Sequence, residues 1–397
     1  MINTLRWVWF SLVLAALPAV AYADLADEVA ACEPLEFSTC VALQQAAASR
    51  KAEVAALAAR LAAADTSAAV TAKLALALAL LDARDHSEAL QTAALRLAGK
   101  PEVADVRAAQ ARLGDARATP VLLELAKPGN SPHAQLLAIG SLGILRAAQA
   151  VPVLLQLVQD DHLPQVQAEA ARALGAIGDK STEAVLLTIA GQPGAVVPVR
   201  AACLRALARQ ASAAGAALAA LLADHPSPML AGAAMDAMGA AWQPWMTPAV
   251  LAAAAMPGLR ADAAQLAARH AIAEAAPLLL SAVQTGGAQP DELPALLECL
   301  GHLKPMGAAA ILAARLPAAG KAEKILLLRT LPKLGDRTVV PELVPLLQDS
   351  DNQIVSNTVY ALENLTGRNL GPDVLAWRKY AGLDTAPPPA VDAAPKP

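Results

Sequence analysis

The chain has 397 residues, with 31 Lys and Arg against 35 Asp and Glu; at −4 it lacks the basic excess that a nucleic-acid-binding surface needs. Its hydrophobic fraction of 56% suggests a membrane protein, but much of that is alanine, and the longest interior apolar run, Leu74 to Leu81, is closed by Lys73 and Asp82, well short of the roughly 20 residues a span requires. Aromatics make up only 3%, and alanine favours helix where aromatics favour strand, so composition points to an all-helical protein.

Residues 1–23 carry the pattern of a signal peptide. Arg6 supplies a positive start, Trp7 to Leu17 an apolar core, Pro18 a break, and Ala21-Tyr22-Ala23 a small-residue cleavage pattern before Asp24. The mature chain is therefore expected to be periplasmic or secreted, with no transmembrane span. Disulfides persist in such compartments, and Cys32 and Cys40 are spaced to close a short loop, which makes them the disulfide candidate. Val29-Ala30-Ala31-Cys32 has the outline of a lipoprotein cleavage box, but Asp24, Asp27 and Glu28 separate it from the apolar core. Residues 24–100 are expected to hold Ala-rich helices over 39–63, 68–82 and 87–99, either as an N-terminal cap or as degenerate repeats.

From about residue 101 the chain repeats itself. Val151-Pro-Val-Leu-Leu-Gln-Leu-Val-Gln-Asp160 and Val340-Pro-Glu-Leu-Val-Pro-Leu-Leu-Gln-Asp349 share one frame, and Thr119-Pro-Val-Leu-Leu-Glu-Leu125 is a third copy. A second element recurs in phase. Val166-Gln-Ala-Glu-Ala-Ala-Arg-Ala-Leu-Gly-Ala-Ile-Gly-Asp179 has apolar residues at helical spacing and ends in Gly-Asp, and Val199 to Leu207 and Ile354 to Leu362 keep its frame. The last core residue of this element gives a ladder: Leu142, Leu174, Leu207, Met238, Ala268, Leu300, Leu331 and Leu362, spaced 30 to 33 apart. Each unit is a helical pair. The first helix opens with proline, whose missing N–H costs nothing there, and the aspartate upstream (Asp115, Asp179, Asp336) is placed to cap it. One pair cannot bury its apolar face alone, whereas stacked pairs bury a continuous core.

These motifs resemble the HEAT-like repeats of phycobilisome-lyase-type proteins, most closely near 113–210 and 331–366. Gln167 stands where that pattern has an arginine, which Arg107 and Arg200 keep. The resemblance implies a right-handed α-solenoid, an α/α superhelix, of about eight or nine HEAT-like pairs over residues 101–383. Leu365-Thr-Gly-Arg-Asn-Leu-Gly-Pro-Asp-Val-Leu-Ala-Trp377 is similar to the closing segment of bacterial HEAT arrays, with Trp377 on a capping helix. The Pro/Ala-rich 384–397 is expected to be a disordered tail. The family includes chromophore lyases and adaptors, so the likeness speaks to fold far more than to function.

No catalytic constellation emerges. His86, His133, His162, His225, His270 and His302 form no i, i+4 pair and no H-E-x-x-H, and there is no P-loop, G-x-S-x-G or C-x-x-C. No cofactor, metal or enzymatic role is expected; Cys203 and Cys299 fall on repeat helices as core residues. What remains is surface. Two residues before each ladder position stand Gly140, Arg172, Arg205, Asp236, Leu266, Glu298, Arg329 and Tyr360. These form either a stripe that selects a protein or peptide partner by charge order, or a set of internal repeat pairings. Trp242 and Trp245 in Trp-Gln-Pro-Trp are either packing for an Ala-rich middle or a binding hot spot. The expected function is a non-catalytic exported scaffold, with an enzyme-maturation factor or an envelope structural protein as alternatives.

Overall fold

A computed structural model describes Val29 and residues 51–159, 163–223 and 225–383. The leader, the Cys32–Cys40 candidate pair, His162 and the tail 384–397 lie outside the described residues. The chain divides into two compact units, Met1–Ser212 and Ala213–Pro397. The first unit holds α1 Lys51–Ala62, α2 Ala68–Leu80, α3 Ser87–Arg96, α4 Val103–Arg112, α5 Thr119–Ala126, α6 Pro132–Ile144, α7 Val151–Gln159, α8 Pro164–Ile177, α9 Glu183–Gly191 and α10 Val197–Arg209. The second holds α11 Ala213–Ala220, α12 Pro228–Ala240, α13 Thr247–Ala255, α14 Arg260–His270, α15 Ala276–Gln284, α16 Leu293–Leu303, α17 Ala308–Arg315, α18 Lys321–Leu334, α19 Val340–Leu343, α20 Asn352–Thr366 and α21 Val374–Tyr380. Every regular element among the described residues is helical, and odd and even helices alternate as the first and second members of pairs. Within each unit the second helices lie side by side, α2 to α10 in one and α12 to α20 in the other, as in an all-α solenoid of stacked repeats.

The repeat is closed by backbone conformation as well as by side chains. A left-handed residue follows every second helix but α12: Asp82, Gly114, Arg146, Gly178 and Ala211 in the first unit, Ala271, Lys304, Gly335 and Gly367 in the second. There the chain turns its N–H groups back onto the helix, as Ala147 does to the Leu142 carbonyl at 3.1 Å and Ser212 to that of Leu207 at 3.0 Å. The first of these terminators, Asp82, lies on the same spacing as the rest, so α1 to α4 keep the repeat's phase. Only α12 ends otherwise: Ala241 sits at φ −136°, and Trp242-Gln-Pro-Trp245 follows.

Ladder residues Leu142, Leu174, Leu207, Met238, Leu300, Leu331 and Leu362 are fully buried. Ala268 is a correction, because it is only half-buried, while Ala267 is the core residue whose carbonyl accepts the Ile272 N–H at 2.9 Å. Alanine on several faces of α14 leaves its periodicity without contrast, so the register is misread by one. Leu266 is accordingly buried, and the exposed Gln265 takes its place in the stripe.

Three local devices recur among the pairs. The aspartates do cap: Asp115, Asp179 and Asp336 accept the N–H of Arg117 (3.1 Å), Ser181 (2.9 Å) and Thr338 (3.0 Å) at the 3₁₀ turns that lead into α5, α9 and α19. In four pairs a polar latch ties the start of the second helix to the end of the first. Arg200 Nε donates to the Ala190 carbonyl at 2.9 Å, Arg260 Nε to Ala254 at 3.1 Å, and Gln135 Nε2 to Lys127 at 2.8 Å. Gln167 Nε2 reaches the Val158 carbonyl at 3.3 Å, so the glutamine that replaces arginine keeps the carbonyl-capping role. Third, small residues let α6, α8 and α10 approach closely. A Cβ on Gly143 would lie 2.9 Å from Ala173 Cα, and one on Gly175 would lie 2.6 Å from Ala206 Cα. At the C-terminal end Trp377 is fully buried, donates its indole N–H to the Gly371 carbonyl at 2.8 Å, and lies on the helix that packs against the 3₁₀ turn Val344–Gln348.

Candidate functional site

A cleft in the first unit has a volume of about 1290 Å³ and is lined by four successive second helices, α2, α4, α6 and α8, with Pro198 at its far end. Side chains at helical spacing present one face of each helix to it. Leu76, Ala108, Gly140 and Arg172 occupy one row, each two residues before its helix's ladder position or that position's counterpart 32 or 64 residues upstream. Lys73, Asp105, Leu137 and Glu169 form a second row three residues earlier. Leu136, Arg112 and Ile144 complete an apolar floor with a charged border. Leu76 on α2 and Ile144 on α6 are 41% and 59% exposed, unusual for aliphatic side chains lining one cleft.

The charges in this groove are partly matched. Arg172 and Glu169 form an ion pair, with Nε donating at 2.8 Å. His133 Nε2 stands 3.6 Å from Asp105 Oδ1. Burial pushes the Asp105 carboxyl above its usual range, and the His133 interaction only partly offsets that. His133 thus lies on the first turn of α6 and lines the groove.

Of the sequence-derived candidates, Arg172 lines this groove. Arg205 is exposed on the next second helix of the same unit. In the second unit Asp236, Glu298, Arg329 and Tyr360 are exposed on α12, α16, α18 and α20. The tryptophans differ in exposure. Trp242 is half-buried and stacks on His270 at 5.1 Å between ring centroids and 21° between planes, whereas Trp245 is 57% exposed. Burial and the neighbouring Arg269 charge lower the His270 pKa, so its neutral form is favoured against the indole. Cys203 and Cys299 are buried free thiols, each pushed up to about 12 chiefly by desolvation, which makes them poor nucleophiles.

Sequence reasoning missed Leu76, Ala108, Arg112, Leu136 and Ile144. The signal was present. Carried back through α4 and α2, the ladder puts Ala108 and Leu76 at stripe positions, but the ladder read from the sequence begins only at Leu142. The buried pair Arg260 and Glu292 was missed too. Glu292 accepts from Arg260 Nη1 at 3.0 Å and from the N–H groups of Gly258 (2.8 Å) and Gln289 (2.9 Å). Burial works to raise the Glu292 carboxyl, but these donors outweigh it and hold it low. Among the described residues no group of three or more His, Cys, Asp and Glu is placed to hold a metal ion, and no helix is long and apolar enough to cross a membrane.

Residues 119–208 match the family model of HEAT repeats. No curated protein matches the chain. Among solved structures, the complex of CpcE and CpcF of phycocyanin lyase from Nostoc sp. PCC7120 is similar at 18% identity over 62% of this chain and 94% of that one, with a TM-score of 0.37. Kap121p bound to Pho4p is similar at 11% identity over 90% of this chain and 48% of that one, with a TM-score of 0.47.

Proposed function

We propose that this repeat protein is an exported, non-catalytic scaffold that holds a protein or peptide partner, with the groove of its first unit as a binding site. One observation carries the reading: four neighbouring second helices expose a continuous apolar floor with a charged border. Isolated exposed aliphatics are ordinary, but a contiguous set on one stack marks a surface kept for a partner. The cleft also exceeds the range of about 300–1,000 Å³ usual for small-molecule sites, which suits a chain segment better. Export to the periplasm rests on the leader pattern from Arg6 to Ala23 and suits a Cys32–Cys40 bridge.

The test is crosslinking in cells with the full chain and with Ile144→Asp, a change at an exposed position that leaves the core alone. A partner captured by the parent and lost from the variant establishes the groove as its site. Capture that is identical in both removes the groove from the reading. N-terminal sequencing of the protein from the periplasmic fraction should begin at Asp24; recovery of the uncleaved chain from the cytoplasm would overturn export.

A further inference from the structure

We infer that the groove of the first unit selects an acidic segment, one whose aliphatic side chains seat on Leu76, Leu136 and Ile144 and whose carboxylates face Arg112 and Arg172. This rests on the reading of the groove as the binding site and adds the chemistry of its occupant.

The argument is one of charge complementarity. Among the groove's lining residues, Lys73, Arg112 and Arg172 stand against two carboxylates, Asp105 and Glu169, with His133 as a further basic group. Both carboxylates already face a basic group of the groove: Glu169 is held by Arg172 and Asp105 stands beside His133. Arg112, exposed at the last turn of α4, makes no hydrogen bond or ion pair among the described residues. Arg172 remains half-exposed even within its pair, so it can meet a second carboxylate. The groove is thus locally cationic on a chain whose net charge is −4. An acidic segment is attracted there and repelled elsewhere, whereas a basic one is drawn to the surface at large and meets like charge in the groove.

Shape and lining narrow the class further. No Phe, Tyr or Trp lines the groove, so it lacks the large rings on which nucleobases stack best, and aliphatic floor residues ask for aliphatic partners. Helix axes packed about 8–10 Å apart give four second helices a breadth of roughly 25–30 Å. That span suits roughly eight residues of extended chain or five turns of helix.

The experiment is selection of random twelve-residue peptides, displayed on phage, against the full chain, followed by anisotropy titrations of the enriched peptides with the parent, Ile144→Asp and Arg112→Glu. Circular dichroism melts confirm that both variants fold. The expected result is a net acidic, aliphatic-rich set whose affinity drops about tenfold or more in each variant and weakens with added salt. Enriched peptides that are basic or neutral and lose affinity in Ile144→Asp would overturn the acidic preference while leaving the groove as the site. Peptides that bind both variants as they bind the parent, or no enrichment at all, would overturn the groove reading and this inference with it.

Discussion

The two units satisfy one spacing by different means. In the first, the second helices meet through small residues, Gly143 against Ala173 and Gly175 against Ala206, and the approach is close enough that no Cβ fits. In the second, α12 and α14 touch only sparsely, and larger groups fill the space: Met235, Met238 and Met246 are buried, Trp242 stacks on His270, and Arg260 reaches Glu292 across the repeat. A repeat period therefore constrains where helices begin and end, but not what holds neighbours together. Close packing tolerates no added volume, whereas a buried ion pair tolerates no missing partner.

That contrast can be broken at its strongest point in the second unit. Glu292→Ala removes the acceptor of Arg260 and of two backbone N–H groups, and breaking a buried pair on one side costs about 3–5 kcal/mol. Hydrogen exchange read by mass spectrometry should show faster exchange across α13 to α16 with α5 to α10 unchanged; equal acceleration in both units would deny the separation. The matching change in the first unit is Gly175→Val, which forces side-chain atoms into the Ala206 backbone and should cost about 2–3 kcal/mol. Its exchange signature should fall on α8 and α10 instead, and an unaltered calorimetric transition would mean that the helices can part without penalty.

A third change should act alike in both units. Ala211 and Ala271 adopt φ of 50° and 53°, a left-handed conformation that costs an L-residue about 1–2 kcal/mol and glycine little. Ala211→Gly and Ala271→Gly should each stabilise by about 1 kcal/mol, seen as a shift in the denaturant midpoint, and any loss of stability would show that these turns carry no strain. The smallest effect is a pH response confined to the second unit. His270 has a folded pKa below its unfolded value, so its contribution to stability is complete above the unfolded pKa and is lost as pH falls through the folded one. Melting of the second unit should therefore weaken slightly below about pH 6.5, and His270→Gln should flatten that slope. The depressed carboxyls act lower still. Asp115, held down by its bonds to Arg117, and Glu292, held down by backbone donors and Arg260, contribute stability above the usual carboxylate range and lose it as the pH falls further, in both units together.

Much of this molecule was legible in one dimension. Helix type followed from alanine content, pair boundaries from Gly-Asp and proline, and core positions from the ladder, because caps, turns and helical periodicity are governed by groups within a few residues of each other. The one misread register, Ala268 for Ala267, fell where alanine on every side erased the contrast that periodicity needs. The exposure of Arg172, Arg205, Asp236, Glu298, Arg329 and Tyr360 was legible, yet the groove's Leu76 was not, since α2 keeps the repeat's phase without its consensus residues.

What the sequence determined by itself is the local rule: a helical pair, capped and turned, every 30 to 33 residues. What only the tertiary structure decided is which side chains about 32 residues apart come into contact. The Gly–Ala seam, the pairing of Arg260 with Glu292 and the groove from Leu76 to Arg172 all depend on how neighbouring helices lie against one another. That arrangement is set by the summed packing of many side chains, and no short stretch of sequence encodes it.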